Sequence, residues 1–215
     1  MKKFNNSYMM LYALGIAAIV AVLLTVVSLS LKARQETNIR NEKMQMLLAT
    51  IGVQSERDGV ETEYNKYFKE ELNVAVEGEE PLSVYLFEKD GKRGYVIPTK
   101  GNGLWGKIYA NIALAEDLNT IVGITFSHDS ETPGLGAEIT SESFCNQFIG
   151  KKILDEEGKV VSVAVIKHAD VADMHQVDAI SGGTMTSNGV SEMLLNGLTR
   201  YQEFITSERK EATNE

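Results

Sequence analysis

The stretch "DAISGGTMTSNGV", Asp178 to Val190, places three glycines and four hydroxyl side chains directly ahead of a leucine-rich run. In that run Val190, Met193, Leu194, Leu198, Tyr201 and Phe204 recur at helical spacing, which predicts an amphipathic helix over "VSEMLLNGLTRYQEFITSE" with Asn188 as its N-cap. The hydroxyl-rich segment then feeds a helix N-terminus. Unpaired N–H groups and the positive end of the helix dipole favour an anion there, and glycines let the backbone come close to it. A phosphate suits this geometry. The segment is neither a P-loop, since no lysine follows the glycines, nor the dinucleotide fingerprint. On its residues alone it reads first as a plain glycine turn capping a helix.

Upstream, "LSVYLFEKDGKRGYVIP" sets two β-prone runs around Asp90-Gly91, a pair that tolerates the positive φ of a tight hairpin. Further strands are expected in "WGKIYANIALAE", "TIVGITFSH" and "KVVSVAVIK", and a short helix in "SESFCNQFIG". Hairpins preceding helices, without strand–helix alternation, indicate an α+β fold with an antiparallel sheet and flanking helices. Before this region, "ETEYNKYFKEEL" reads as a helix closing at the turn-rich "EGEEP". "RNEKMQMLLATIGV" reads as a juxtamembrane helix stopped at Gly52, and Ile51 to Gly59 as a candidate hinge.

From Tyr8 to Leu31 the chain carries no charge, and about 20 apolar residues suffice to cross a bilayer core. The run is long for a signal peptide, and "SLSLKARQ" offers no small-x-small cleavage site, so a retained anchor is expected. Lys2 and Lys3 on one side balance Lys32 and Arg34 on the other, so charge fixes orientation poorly. The short N-terminal tail favours an N-inside placement with the bulk of the chain outside the cytoplasm. The expected organisation is an N-terminal tail and transmembrane helix over 1–34, a juxtamembrane helical segment over 35–80, the main domain over 81–208 and a polar tail over 209–215.

The net charge of -9 is not spread evenly: the first four basic residues all precede the first acid, Glu36, so the remainder is more acidic still. That balance argues against nucleic acid as a partner and against electrostatic docking onto anionic lipid. Cys145 is the single cysteine, which excludes an internal disulfide and a four-thiolate metal or iron-sulfur site within this chain; a small buried hydrophobe is expected. His128, Asp129 and Glu131, and separately "HADVADMH", mix histidine with acids but lack metal-ligand spacing. No metal site is expected. An anchored hydrolase using Ser181, Thr184 or Thr186 has neither a nucleophile-elbow spacing nor a visible relay.

Three motifs in order, "GNGLWGKIYA", "HDSETPGLGAEI" and "DAISGGTMTSNGV", resemble those of the FMN-binding domain family found in the C-type subunit of the Na+-translocating NADH:quinone reductase and in the G-type subunit of the Rnf complex. The family's Asp-x-x-Ser-Gly-Ala-Thr motif matches at Asp178, Ser181, Gly182 and Thr184, with Gly183 where the pattern has alanine. The resemblance implies FMN joined through its phosphate to Thr184. It also implies a dedicated flavin transferase that uses FAD and Mg2+, and partner subunits of a respiratory membrane complex (A, B, D, E and F type). Electrons would arrive from iron-containing membrane partners and leave towards the flavin of the B-type partner and then quinone, coupled to Na+ export across a bacterial inner membrane. This chain would be an electron carrier without its own NADH or quinone site.

"GLGAEI", the Leu-Trp pair and the post-anchor segment resemble the quinone-reductase member of the family more than the Rnf member, whose complex passes electrons between NADH and ferredoxin. A flavin-free structural subunit is the remaining alternative, with Gly183 its one support. An isoalloxazine needs apolar faces and a few polar groups at its edge. Leu104, Trp105 and Leu135 are the expected faces; Gly134 and Gly136 would let main-chain N–H groups reach the edge. Glu131 and Thr132 would brace that turn or bond the cofactor. Ser181, Gly182, Gly183, Thr186, Ser187 and Asn188 would surround the phosphate, with Lys100 and Lys107 as candidates to neutralise it.

Overall fold

The computed structural model describes residues 6–76 and 81–213. Two compact units divide the chain, Met1–Lys43 and Met44–Glu215. Helix α1, Asn6–Thr50, runs unbroken for 45 residues, so the separately expected juxtamembrane helix is its continuation. The connecting "KARQETNIRNEK" holds neither glycine nor proline to end it. The stop comes at Gly52, as expected: its φ is 70°, its N–H donates to Ala49 O, and Val53 N–H donates to Leu48 O at 2.9 Å. This is a Schellman closure. The apolar part of α1 is exposed along its length, and among the described residues α1 is the one helix long and apolar enough to cross a membrane.

In the second unit a five-stranded antiparallel sheet runs in chain order: β1 (Phe68–Val74), β2 (Leu82–Lys89), β3 (Lys92–Asn102), β4 (Lys107–Ala115) and β5 (Ile121–His128). The hairpin at Asp90-Gly91 forms as its residues dictate, with φ of 53° and 72°. The expected helix "ETEYNKYFKEEL" is instead a short helix, α2 (Val60–Tyr67), followed by β1. At Phe68 the backbone turns extended, because its ring is captured between Tyr64, stacked at 4.7 Å, and Phe87 at 6.2 Å. Of the "EGEEP" turn, residues 77–80 lie outside the described residues.

Period-2 alternation buries both faces of the sheet. Val84, Ile97, Ile108, Ile112 and Leu114 face the main core, whereas Tyr85, Phe87, Val96 and Ala113 join Met44, Leu47, Leu48 and Ile51 in a smaller one. After β5 come a 3-10 turn (Gly136–Thr140), α3 (Glu142–Cys145) and a second 3-10 turn (Asn146–Phe148), bringing Phe144 and Phe148 against Phe126. Of the expected strand "KVVSVAVIK" only β6 (Ala164–Ile166) forms. It pairs in parallel with β7 (Gln176–Asp178), away from the main sheet, after Ser162 takes a φ of 64°.

The expected C-terminal helix is two helices, α4 (Thr184–Thr199) and α5 (Gln202–Thr213). Tyr201 breaks the run: it is buried, and its hydroxyl donates to Ser83 O and Pro98 O at 3.3 and 3.1 Å. Helix α5 includes residues 209–213, read from sequence as a polar tail. The segment Ile51 to Gly59 does not read as a hinge near its start: Ile51 is buried and Lys89 Nζ donates to Ile51 O at 2.6 Å. Helix α4 lies on β3, and a Cβ at Gly189 would collide with Asn102 O. That contact seats the first turns of α4 beside the loop joining β3 to β4.

Candidate functional site

The first correction concerns where α4 begins. Asn188 is not its N-cap; the helix starts four residues earlier, at Thr184, with Gly183 as cap and no side-chain cap bond. Gly182, at φ 74°, makes the turn that precedes it. Poor helix formers enter the helix because tertiary bonds satisfy them. Thr186 Oγ1 donates to Glu131 Oε2 at 2.6 Å, and Ser187 Oγ accepts Ile180 N–H at 3.1 Å. Both residues are buried, whereas Asn188 is exposed.

Of the four hydroxyls in the segment, then, two are engaged. Thr184 and Ser181 are exposed, and neither hydroxyl has a hydrogen-bond partner among the described residues. Thr184 is also the first residue of a 16-residue helix whose opening N–H groups lack a cap. An anion at its side chain would meet those donors.

Glu131 ties the three sequence motifs together. It is only 4% exposed, yet both carboxylate oxygens are used: Oε1 accepts Trp105 N–H at 2.8 Å and Oε2 accepts the Thr186 hydroxyl. Its own N–H donates to His128 Nδ1 at 3.3 Å. Burial alone would raise its pKa; the bonds from Thr186, Trp105 and Gly106, with His128 nearby, outweigh it and hold the carboxyl below its ordinary range. Gly136 has to be glycine for a steric reason, since a Cβ would run into Thr186 Oγ1 and Glu131 Oε2. Leu135 closes the third side, its Cδ2 lying 2.7 Å from where a Cβ on Gly182 would sit.

Around this brace four large apolar side chains stay in solvent: Trp105 67% exposed, Met185 60%, Leu104 48% and Leu135 42%. Their loops converge on the start of α4, which makes an apolar rim next to an anion-favouring helix end. Met185 was not singled out from sequence, although its place beside Thr184 in a helix whose apolar face points elsewhere was a usable signal. Gly103 was missed as well; a Cβ there would strike Glu131 Oε1.

Other expected residues sit apart from the brace. Thr132 is exposed and contributes only its carbonyl, accepting Leu135 and Ala137 N–H; Gly134 supplies a turn at φ 74°. Lys107 Nζ bonds Asn102 Oδ1 at 2.6 Å, and Lys100 is exposed on β3. Cys145 is half-buried against the main core, with its thiol pKa pushed up by burial.

Comparison with known proteins sorts these features. The FMN-binding domain family model matches residues 103–199, a span that holds the second and third motifs whole and the first from Gly103 onward. Over 108 residues the chain is 45% identical to the C-type subunit (NqrC) of the Na(+)-translocating NADH-quinone reductase of Vibrio vulnificus, and over 109 residues 47% identical to that of Neisseria meningitidis serogroup B. Each match takes in 50% of this chain and 42% of the relative, so the chain matches less than half the length of these curated relatives. The crystal structure of the corresponding NqrC protein from Parabacteroides distasonis is 41% identical, superposes with a TM-score of 0.76, and is covered over 97% of its length by 82% of this chain.

The chain belongs to the NqrC family of Na(+)-translocating NADH-quinone reductases.

A second structure, of Shewanella oneidensis NqrC, shares the fold at a TM-score of 0.69 with 24% identity, covering 79% of this chain and 98% of that one. The α+β expectation holds: a long apolar N-terminal helix precedes a domain with a five-stranded antiparallel sheet and flanking helices.

Proposed function

We propose that this chain carries FMN joined through its phosphate to Thr184, and that it relays electrons within a Na+-translocating NADH:quinone reductase in a bacterial inner membrane. The observation that carries this reading is the contrast within the first turn of α4. Thr184 keeps an exposed, unpartnered hydroxyl at the uncapped helix end, while the Thr186 hydroxyl two residues on is buried and bonded.

The residues present fit the group. The opening N–H groups of α4 would hold the phosphate. Trp105, Leu104, Leu135 and Met185 would lie against the ring system and exclude water from it. Bound FMN supplies reversible electron transfer, with a potential tuned by the polar groups around it. Attachment turns loss of the cofactor into a local opening and closing, which matters on the extracytoplasmic side, where free FMN is not replenished.

No residue near Thr184 is placed as an activating base, so a transferase must supply one. The Thr184 oxygen would displace AMP from FAD, its proton passing to that enzyme's base, with Mg2+ offsetting the charge of the pyrophosphate. Helix α1 would be the membrane anchor, and the other members of the complex the electron donor and acceptor.

The test is the mass of the full chain co-produced with a flavin transferase, beside Thr184→Ala. The expected result is FMN less one water on the peptide spanning Ser181 to Asn188, absent from the variant. An unmodified wild-type chain, with the transferase proven active on another substrate, would overturn the reading.

A further inference from the structure

Glu131 carries a charge for which the brace has no need. The groups bonded to its carboxylate are all neutral: the Trp105 and Gly106 N–H groups and the Thr186 hydroxyl; His128 Nδ1 accepts the Glu131 main-chain N–H. No lysine or arginine is paired with it among the described residues. A glutamine would meet the same bonds, its carbonyl oxygen accepting the Trp105 N–H and its amide donating to Thr186 Oγ1. Burying an ionised carboxylate without a cation is costly, and an uncharged isostere would serve the packing as well. The charge therefore calls for its own explanation.

We propose that the Glu131 carboxylate lowers the reduction potential of the flavin carried on Thr184, by fixing one negative charge against the first turn of the helix that bears it. The inference rests on Thr184 being the acceptor. Thr186, to which Oε2 is bonded at 2.6 Å, stands two residues from Thr184 in the same turn. An electron added to the flavin is disfavoured by a buried anion, while the N-terminus of α4 pulls the opposite way with its partial positive charge. With an effective dielectric near 20, one fixed charge in the same part of the site is expected to shift the reduced-to-oxidised ratio at fixed potential by about tenfold. That ratio corresponds to about 59 mV for a one-electron step. The carboxyl's lowered pKa keeps the charge in place through the neutral range.

Redox titration of the flavin absorbance tests this on the full chain in detergent, flavinylated during co-production, as wild type, Glu131→Gln and Thr186→Val. Glu131→Gln is expected to keep its flavin and to be reduced at a higher potential, by about tenfold in the ratio. Thr186→Val, which takes the hydroxyl donor from Oε2 and leaves the charge less offset while Trp105 N–H still bonds Oε1, is expected to move the potential the other way. If Glu131→Gln carries flavin at the wild-type potential, the charge has no tuning role. Loss of flavin from both variants would also overturn the inference, because the group would then act through packing alone. Absence of flavin from the wild-type chain would instead defeat the reading of Thr184 itself, and the mass spectrum separates that case.

Discussion

The two ends of α4 are built for opposite purposes. At its C-terminal end Tyr201 is buried, its hydroxyl held by two main-chain carbonyls from β2 and β3, and α5 follows from Gln202. At its N-terminal end no side chain caps the helix, Thr184 faces solvent, and four large apolar side chains stand exposed around it. One end is finished by the fold. The other is, on the proposed reading, where the phosphate attaches, and the Glu131 brace ties the loops around it together.

Substitutions at the two ends should separate these roles. The largest effect is expected from Thr184→Ala, which should abolish the covalent flavin while shifting stability by no more than ~0.5 kcal/mol, as exposed positions do; intact mass and thermal unfolding read the two quantities. Gly136→Ala should destabilise by about 1–3 kcal/mol, because the new methyl displaces the Thr186–Glu131 bond. Flavin loading should fall with it, and retention of both would refute the brace. At the closed end Tyr201→Phe should cost ~1–2 kcal/mol in urea unfolding by leaving buried carbonyls with one donor fewer, with loading unchanged.

The dependence on pH should divide the same way. Glu131 has a folded pKa below its unfolded value, so its contribution is present above about pH 4.3 and is lost as pH falls through the lower folded value. Glu131→Gln should flatten that acid limb. Tyr201 is pushed up to about 12, mainly by burial, so its contribution is complete below about pH 10 and lost as pH rises through the folded value. Tyr201→Phe should flatten the alkaline limb in part, because Tyr64 is also raised to about 12. The smallest effect is expected from Gly183→Ala. Its φ of -106° suits any residue, but a methyl would sit 2.9 Å from Ile180 Cγ2, so the stability change should stay within ~1 kcal/mol and the flavin should load.

Much of the sheet was readable because its signals are local. Asp90-Gly91 specifies its hairpin by backbone tolerance, and β4 alternates buried Ile108, Ala110 and Ile112 with Tyr109 and Asn111. Gly52 likewise marks the end of α1. What failed depended on distant partners. Phe68 leaves helical geometry for the rings of Tyr64 and Phe87, and the latter lies in another strand. Tyr201 splits a helix whose periodicity continues through it. At the site, the motif wording is what proposes Thr184 as acceptor, and Leu104, Trp105 and Leu135, the proposed faces, are exposed. Periodicity misplaced the helix start, because only the bond from Thr186 to Glu131, 55 positions away, makes a buried helical threonine affordable.

Trp105 is the only tryptophan in the chain, and it stands in solvent on the rim of the site, its backbone fixed by Glu131. The protein therefore carries one indole reporter at the place where a yellow cofactor would arrive. Its emission should be that of a water-exposed ring in the empty chain and quenched in the loaded one, so maturation can be followed by light without adding a label.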